Sequence, residues 1–542
     1  SETRAHRTDT PIPSTMVKRG RDEVGTGTGV FGFPPESSDP SSERTKTALA
    51  HVKHLNTEYL KDLTRKIAEN PYCWHEKEAE SYKKYARRIR TEFKDVLDKL
   101  DLSTSEVASV AGSQENKGRC FVFGTGDGGQ LGLGDDVDEL PRPRWLNTVP
   151  SGALVMKIAC GGMHTLAIVE GGLVYSWGVN DEGALGRLAN KDVAGSESTP
   201  GLVDLPSAAI AVDLSTGDSH VAVVTADGAI VAWGTFRTSS GLYAFTPEGE
   251  QICRTPTTRY VPDCDASRAV ATASGTDHVL ALTKAGEVYS WGCGEKGRLG
   301  RLCEEDAENI SKRDVPAKTK LLNPGKVSGV SKVTAIFAGS YHSFGIAASS
   351  DGSTSQVFAW GLNSYGQLGV PYDNLKPGSS NLEYFPKLVT ELSGKKIVAG
   401  DAGEAHTVLR SATGDVFTFG RPAYGRLGVT HISPTDDEPH SEMNHVVGVS
   451  GRGVVGVFAG ASNSGCVTEN GEAYVWGYGT MGQLGRGDDE TDATVPTLVK
   501  PTKNMGTDKI TQLSFGGQHS ALLCLPPTSG GGDTHTAKRA RG

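Results

Sequence analysis

A closed ring of seven β-sheet blades, an all-β propeller, is the architecture this sequence predicts, and three observations carry that expectation. A Trp-Gly or Phe-Gly pair recurs at residues 123, 177, 233, 291, 360, 419 and 476, at intervals of 54 to 69 residues. Six of these seven pairs are followed by a turn ending in Gly-x-Leu-Gly: Gly129–Gly132, Gly183–Gly186, Gly297–Gly300, Gly366–Gly369, Gly425–Gly428 and Gly482–Gly485. The chain also holds 69 glycines in 542 residues without low complexity, the mark of many tight turns between short strands. Repeats of this length, each several short strands long, are the signature of propeller blades.

The phase of the repeats predicts how the ring closes. Ahead of each later Trp/Phe-Gly pair lies Gly-x-x-His: Gly161 to His164, Gly217 to His220, Gly275 to His278, Gly339 to His342 and Gly403 to His406, with Asn463 in the sixth place. The first unit lacks this half, and the half reappears after the last unit at Gly516 to His519. One blade is therefore expected to be shared by the two ends of the repeat region, which leaves no open sheet edge.

Taken in order, residues 1–41 are rich in Ser, Thr, Pro and Gly and poor in large apolar groups, so they are expected to form a disordered tail. The tail holds Lys18, Arg19 and Arg21, which read either as solvated charge or as a nuclear-import signal. Met16 is a candidate initiator. Residues 42–104 change character: Leu49, Val52, Leu55, Tyr59, Leu63 and Ile67, then Tyr82, Tyr85, Ile89, Phe93, Val96 and Leu100, recur at helical spacing on either side of Asn70-Pro71. Two amphipathic helices in a hairpin are expected, with apolar stripes that need a partner. Residues 105–116 read as a linker, 117–525 as the propeller and 526–542 as a second flexible tail, carrying Lys538, Arg539 and Arg541.

Composition narrows the function classes. The nine cysteines stand singly with no Cys-x-x-Cys pair, which predicts free thiols in a reducing compartment and no metal site. No apolar run of about 18 residues and no signal-peptide pattern appears, so no membrane span or secretory route is expected. Net charge is −9, but residues 118–525 alone hold 32 basic and 44 acidic side chains, a net of −12. An acidic body favours basic protein partners and leaves contact with DNA to the basic tails. Gly124, Gly126 and Gly129 fit the spacing of a dinucleotide fingerprint, but they lie in a blade turn and not at a strand-to-helix junction, so no nucleotide cofactor is inferred. No phosphate-loop or nucleophile motif appears, which predicts a protein without covalent chemistry and without cofactors.

Gly-x-x-His, Trp-Gly and Gly-x-Leu-Gly in succession resemble the regulator of chromosome condensation family, whose founding member is the exchange factor for the small GTPase Ran. The resemblance spans about Lys117 to Leu525. It implies a seven-bladed propeller, and the seven-fold motif alone does not choose among that fold's functions. The one broken repeat does. In members acting on Ran, the third blade replaces Gly-x-Leu-Gly by Trp-Gly-Ser-Phe-Arg-Asp-Asn-Asn-Gly, a β-wedge directed at the GTPase phosphate loop. Here the same place reads Trp233-Gly234-Thr235-Phe236-Arg237-Thr238-Ser239-Ser240-Gly241. Phe236, Arg237 and Gly241 are kept, while Thr238, Ser239 and Ser240 are small, polar and compatible with a turn. Their lack of a carboxylate leaves open a rival: a propeller scaffold without exchange activity.

The resemblance further implies GTPase-facing positions at Asp127, His164, Asp218, Asp277, His406 and His519. A histidine at one phase of every blade also fits the satisfaction of buried turn groups. The longest interval, Trp291 to Trp360, contains Lys312 and Arg313, where the family places a loop that grips the nucleosome; a solvated loop fits equally. The stretch Ala50 to Tyr59 with Asn70-Pro71 resembles the middle segment of nuclear-basket nucleoporins that bind importin-α and Ran. The implied reading is a nuclear, chromatin-associated exchange factor whose partners are a Ran-type GTPase, histones and importin-α.

Overall fold

The computed structural model describes residues 118–149, 154–189, 193–241, 243–308, 315–349, 354–371, 381–436, 438–487 and 491–525. The expected helical hairpin at 42–104 and both tails, with Lys18, Arg19, Arg21, Lys538, Arg539 and Arg541, lie outside these residues, as do Lys312 and Arg313. Within them the chain forms seven four-stranded antiparallel sheets and one extra two-stranded hairpin. Blade 1 is the shared one: Lys509–Phe515 and His519–Leu525 from the end of the repeats pair with Arg119–Thr125 and Glu139–Trp145 from the beginning. Ring closure from both ends, as the repeat phase predicts, is thus a set of ladder hydrogen bonds between residues some 400 positions apart, from Arg119↔Cys524 to Gly124↔His519.

Blades 2 to 7 begin at Val155, Ala211, Ala269, Val333, Ile397 and Val454. The first strand of each blade, including Lys509–Phe515, lines a central channel of about 380 Å³. Small side chains at the Gly-x-x turns let the seven strands converge there: an added Cβ on Gly161 would lie 2.3 Å from the His164 ring and 2.6 Å from the Gly217 carbonyl of the next blade. The second and third strands carry the apolar core, with Val, Ala, Leu and Trp side chains filling the seams between blades.

Six of the seven seams are latched by the repeat motif itself. The last glycine of Gly-x-Leu-Gly packs on the Trp or Phe of the following blade; Gly132 has φ +73°, and a Cβ there would sit 2.6 Å from the Trp177 indole nitrogen. The residue before the Leu turns its carbonyl to that indole. Trp177 donates to Gln130 O at 3.0 Å, Trp233 to Ala184 O at 2.8 Å, Trp360 to Arg298 O at 3.0 Å and Trp476 to Arg426 O at 3.0 Å. The sequence motif is therefore a blade-to-blade hydrogen bond, and its regular spacing reports the ring's repeat. Two short helices, Glu304–Ala307 and Val315–Leu322, lie between the third and fourth strands of blade 4. Among the described residues no helix is long and apolar enough to cross a membrane.

Candidate functional site

Blade 3 lacks the latch, and the structure shows what stands in its place. After Trp233 the chain forms a short hairpin in which Phe236 pairs with Ala244 and Arg237 with Tyr243. Gly241, at φ +75°, closes the tip by donating its N–H to Thr238 O at 2.9 Å. Without Gly-x-Leu-Gly there is no carbonyl for the next tryptophan, and Trp291 Nε1 finds no acceptor among the described residues. Phe236 and Phe245 fill the seam, with ring centroids 5.5 Å apart and planes within 11° of parallel, in one core cluster with Trp291. Phe236 is thus a buried anchor, 3% exposed, while Arg237, Ser239, Ser240 and Gly241 are exposed.

The hairpin is held by carboxylates from the blades on either side. Asp277 Oδ1 of blade 4 accepts the Arg237 N–H at 2.7 Å. Glu182 of blade 2 pairs with the Arg237 guanidinium. Glu295 of blade 4 takes the tip with both oxygens, Oε2 from the Ser239 N–H and Oε1 from Ser239 Oγ–H, each at 2.8 Å. Behind them Arg298 is buried, 3.8 Å from Asp277 and 3.9 Å from Glu295, with its guanidinium 4.5 Å from the Tyr341 ring centre. Burial pushes the Asp277 carboxyl up, and the Arg237 N–H and Arg298 pull it partly back.

The three aspartates expected on this face differ in setting. Asp127 is exposed and accepts a hydrogen bond from Gln130 Nε2 at 3.2 Å. Asp218 is exposed at the channel mouth yet crowded by protein; desolvation first, then repulsion from Asp277 and Glu404, pushes its carboxyl up to about 6. Asp277 sits beneath the hairpin.

The histidines are a correction. His164, His406 and His519 are 1%, 0% and 1% exposed, so a surface role as GTPase contacts does not fit their placement. Each ring pins a seam: His519 Nε2 meets Thr165 Oγ1 at 2.7 Å, His406 Nε2 meets Ser464 Oγ at 2.8 Å, and His164 Nε2 meets Thr216 Oγ1 at 2.6 Å. The general rule is that a blade's histidine reaches the Ser or Thr that follows the histidine position in the next blade, as His278 does with Ser343 at 2.7 Å. His164 and His220 depart from it, because Val221 and Val279 stand where the hydroxyl is needed; His164 takes Thr216 on the first strand of the next blade, and His220 finds no hydroxyl. Its ring lies 4.7 Å from that of Phe236 instead. Burial holds the His164 ring down at about 4 and those of His220, His342 and His519 at about 3, so all are neutral near pH 7.

Glu182, Glu295, Arg298 and Tyr341 are site residues that sequence reading missed. Glu182, Glu295 and Arg298 look like ordinary residues of the repeat turns; only the broken repeat between them hints that their carboxylates and guanidinium serve a neighbour. Among the described residues no group of three His, Cys, Asp or Glu side chains could hold a metal ion. The arrangement offers a stiff, exposed hairpin set into one face of a closed ring, suited to pushing on a partner.

The RCC1-like domain family profile matches residues 119–522, wholly within the propeller; the nucleoporin-like stretch falls outside it. The human protein named Regulator of chromosome condensation is 35% identical over 445 residues, which cover 81% of this chain and 98% of that protein. A Saccharomyces cerevisiae protein named Guanine nucleotide exchange factor SRM1 is 32% identical over 74% of this chain and 86% of its own. Among solved structures, Prp20p from Saccharomyces cerevisiae, described with its binding to Gsp1p and histones, superposes with a TM-score of 0.67 at 30% identity, over 79% of this chain and 96% of that one. With the fold, the repeat latch and these relatives in agreement, the chain belongs to the RCC1-like propeller family that includes the regulators of chromosome condensation.

Proposed function

We propose that this protein is a guanine-nucleotide exchange factor for a Ran-type small GTPase, held at chromatin in the nucleus. The observation that carries the reading is the blade 3 hairpin: it replaces the repeat's latch with an exposed tip, and three carboxylates brace it. A GTPase that holds nucleotide at picomolar affinity has about 16 kcal/mol in that complex, much of it at the phosphates and Mg²⁺. A wedge pressed into the phosphate-binding loop weakens those contacts, while the propeller face, with Asp127 and Asp218, stabilises the empty GTPase; Asp277, 7% exposed, braces the wedge from beneath and is not itself a surface contact. Coupling is reciprocal: by whatever factor the wedge weakens nucleotide, nucleotide weakens the wedge, so rebinding expels the exchanger. No covalent step and no cofactor is required.

One yeast relative, Prp20, described with its binding to Gsp1p and histones and also solved bound to Kap60, supports a GTPase, histones and an importin-α as partners. The basic clusters at Lys18, Arg19 and Arg21 and at Lys538, Arg539 and Arg541 would serve import and contact with DNA, and Lys312 with Arg313 the nucleosome. Release of labelled GDP from Ran, measured with and without the protein, tests the central claim. Acceleration of several orders is expected; release at the intrinsic rate would leave the scaffold reading, which the Thr238-Ser239-Ser240 replacement favours.

A further inference from the structure

The wedge tip carries three consecutive hydroxyls, Thr238, Ser239 and Ser240, and the structure gives them different work. Thr238 Oγ1 and Ser240 Oγ bond each other at 2.9 Å and bring no carboxylate to the tip by that contact. Ser239 is exposed, yet both its hydroxyl and its N–H are clasped by Glu295, which is itself buried at 9% exposure. The clasp depends on Ser239 Oγ being a donor: Glu295, as a carboxylate, can only accept. Two cations stand near the clasp. Arg298 is buried between Glu295 and Asp277, and the Arg237 guanidinium pairs with Glu182.

We propose that Ser239 is a phosphoryl-acceptor site at which modification opens this clasp and disables the wedge; the effect on exchange rests on the reading of the hairpin given above. In the step, Ser239 Oγ attacks the γ-phosphorus of ATP in a protein kinase, the Oγ–P bond forms as the bond to the ADP oxygen breaks, and the hydroxyl proton passes to the kinase's catalytic carboxylate. The product has no Oγ–H to donate and places nearly two negative charges where Glu295 waits. Beside a buried carboxylate that is repulsion, and the tip must leave its support on blade 4. Should Arg237 swing to the new phosphate, it abandons Glu182, which loosens the same hairpin from its blade 2 side.

The test installs phosphoserine at residue 239, or at 240 as control, in the full chain by genetic encoding. It reads GDP release from Ran together with amide hydrogen exchange of the 236–244 hairpin. Phosphoserine at 239 is expected to slow release about tenfold or more and to raise exchange of the hairpin amides by a similar factor, with phosphoserine at 240 changing amide exchange by less than about threefold. Glu295→Gln, which removes the repelling charge, should return the phosphorylated protein most of the way. Ser239→Ala keeps the backbone N–H bond to Glu295, so amide protection of the hairpin should change by less than about threefold. Release and amide protection unchanged by phosphoserine at 239, or amide protection equally lowered by phosphoserine at 240, overturns the proposal. If the unmodified protein fails to accelerate release, the exchange reading falls alone; amide protection then decides the clasp, and unchanged protection sinks it.

Discussion

Phe236 and Val279 show how one residue type at one place redirects a repeat. Phe236 replaces the latch lost from blade 3, stacking between Phe245 and the His220 ring. Phe236→Ala is expected to cost about 3 kcal/mol in urea unfolding, because the emptied site is lined by rings that cannot collapse into it. The same substitution should abolish acceleration of GDP release. Val279 leaves His220 without the hydroxyl that other seams provide. Val279→Thr is expected to be neutral or to stabilise by about 1 kcal/mol, since its hydroxyl meets a waiting imidazole. At buried Val231, 2% exposed and facing no such group, the same change should destabilise; equal losses at both sites would contradict the seam rule.

The hairpin is an element whose anchor and tip have separate duties. Its anchor, Phe236 and Phe245, seals the blade 3–4 seam, while its tip, residues 238–241, reaches outward and is tied by Glu295. Replacing Thr238-Ser239-Ser240-Gly241 by a two-residue Asn-Gly turn should leave the melting temperature within a few degrees and remove acceleration of GDP release; loss of the fold would mean the tip is structural. Much of this element was legible in the sequence, because a broken repeat is visible against six intact ones. Its bracing was not. Glu182 and Glu295 occupy ordinary turn positions of their own blades, and their reach to Arg237 and Ser239 arises from the distance between neighbouring blades, which no local pattern encodes. The histidines failed for a related reason: a polar residue at a fixed phase looks the same in sequence whether it faces a partner or pins a seam, and only burial separates the two.

At the scale of the molecule, six neutral histidines in the seams tie stability to pH. His164, His220, His278, His342, His406 and His519 all have their rings pushed below the ordinary value of 6.5 by burial. The unfolded chain therefore takes up protons that the folded chain refuses, and stability is lost as pH falls below about 6.5 toward the folded values near 3 to 4. Each contributes roughly 1 kcal/mol per pH unit in that window. Three acids act oppositely, among them Asp277, whose carboxyl burial raises. Asp401, whose carboxylate accepts the N–H groups of Ala402 and Ala459 but is raised to about 7 by burial, and Asp218, raised to about 6, hold protons when folded that they release when unfolded. Histidines outnumber them, so the melting temperature should fall steeply between pH 6 and pH 4; a flat profile would show that the rings gain access to solvent. Ring closure was the most legible feature of all, since a half-repeat at one end matched the missing half at the other. Removing residues 509–525 should unfold the whole ring, as circular dichroism would register, because blade 1 would lose its two inner strands.

That shared blade has a consequence for how the protein can be moored. Strand Arg119–Thr125 runs toward the wedge end of the ring, since Gly124 pairs with His519, and strand His519–Leu525 runs away from it. The propeller is thus entered at Gly118 and left at Leu525 side by side, at the far end of the strands from the hairpin, some 20 Å across for seven residues in extended form. A partner that bound close to Gly118 and Leu525 would take hold of the ring from behind and leave the opposite side clear. Docking on a surface there and engaging a client at the hairpin would then compete for no common ground.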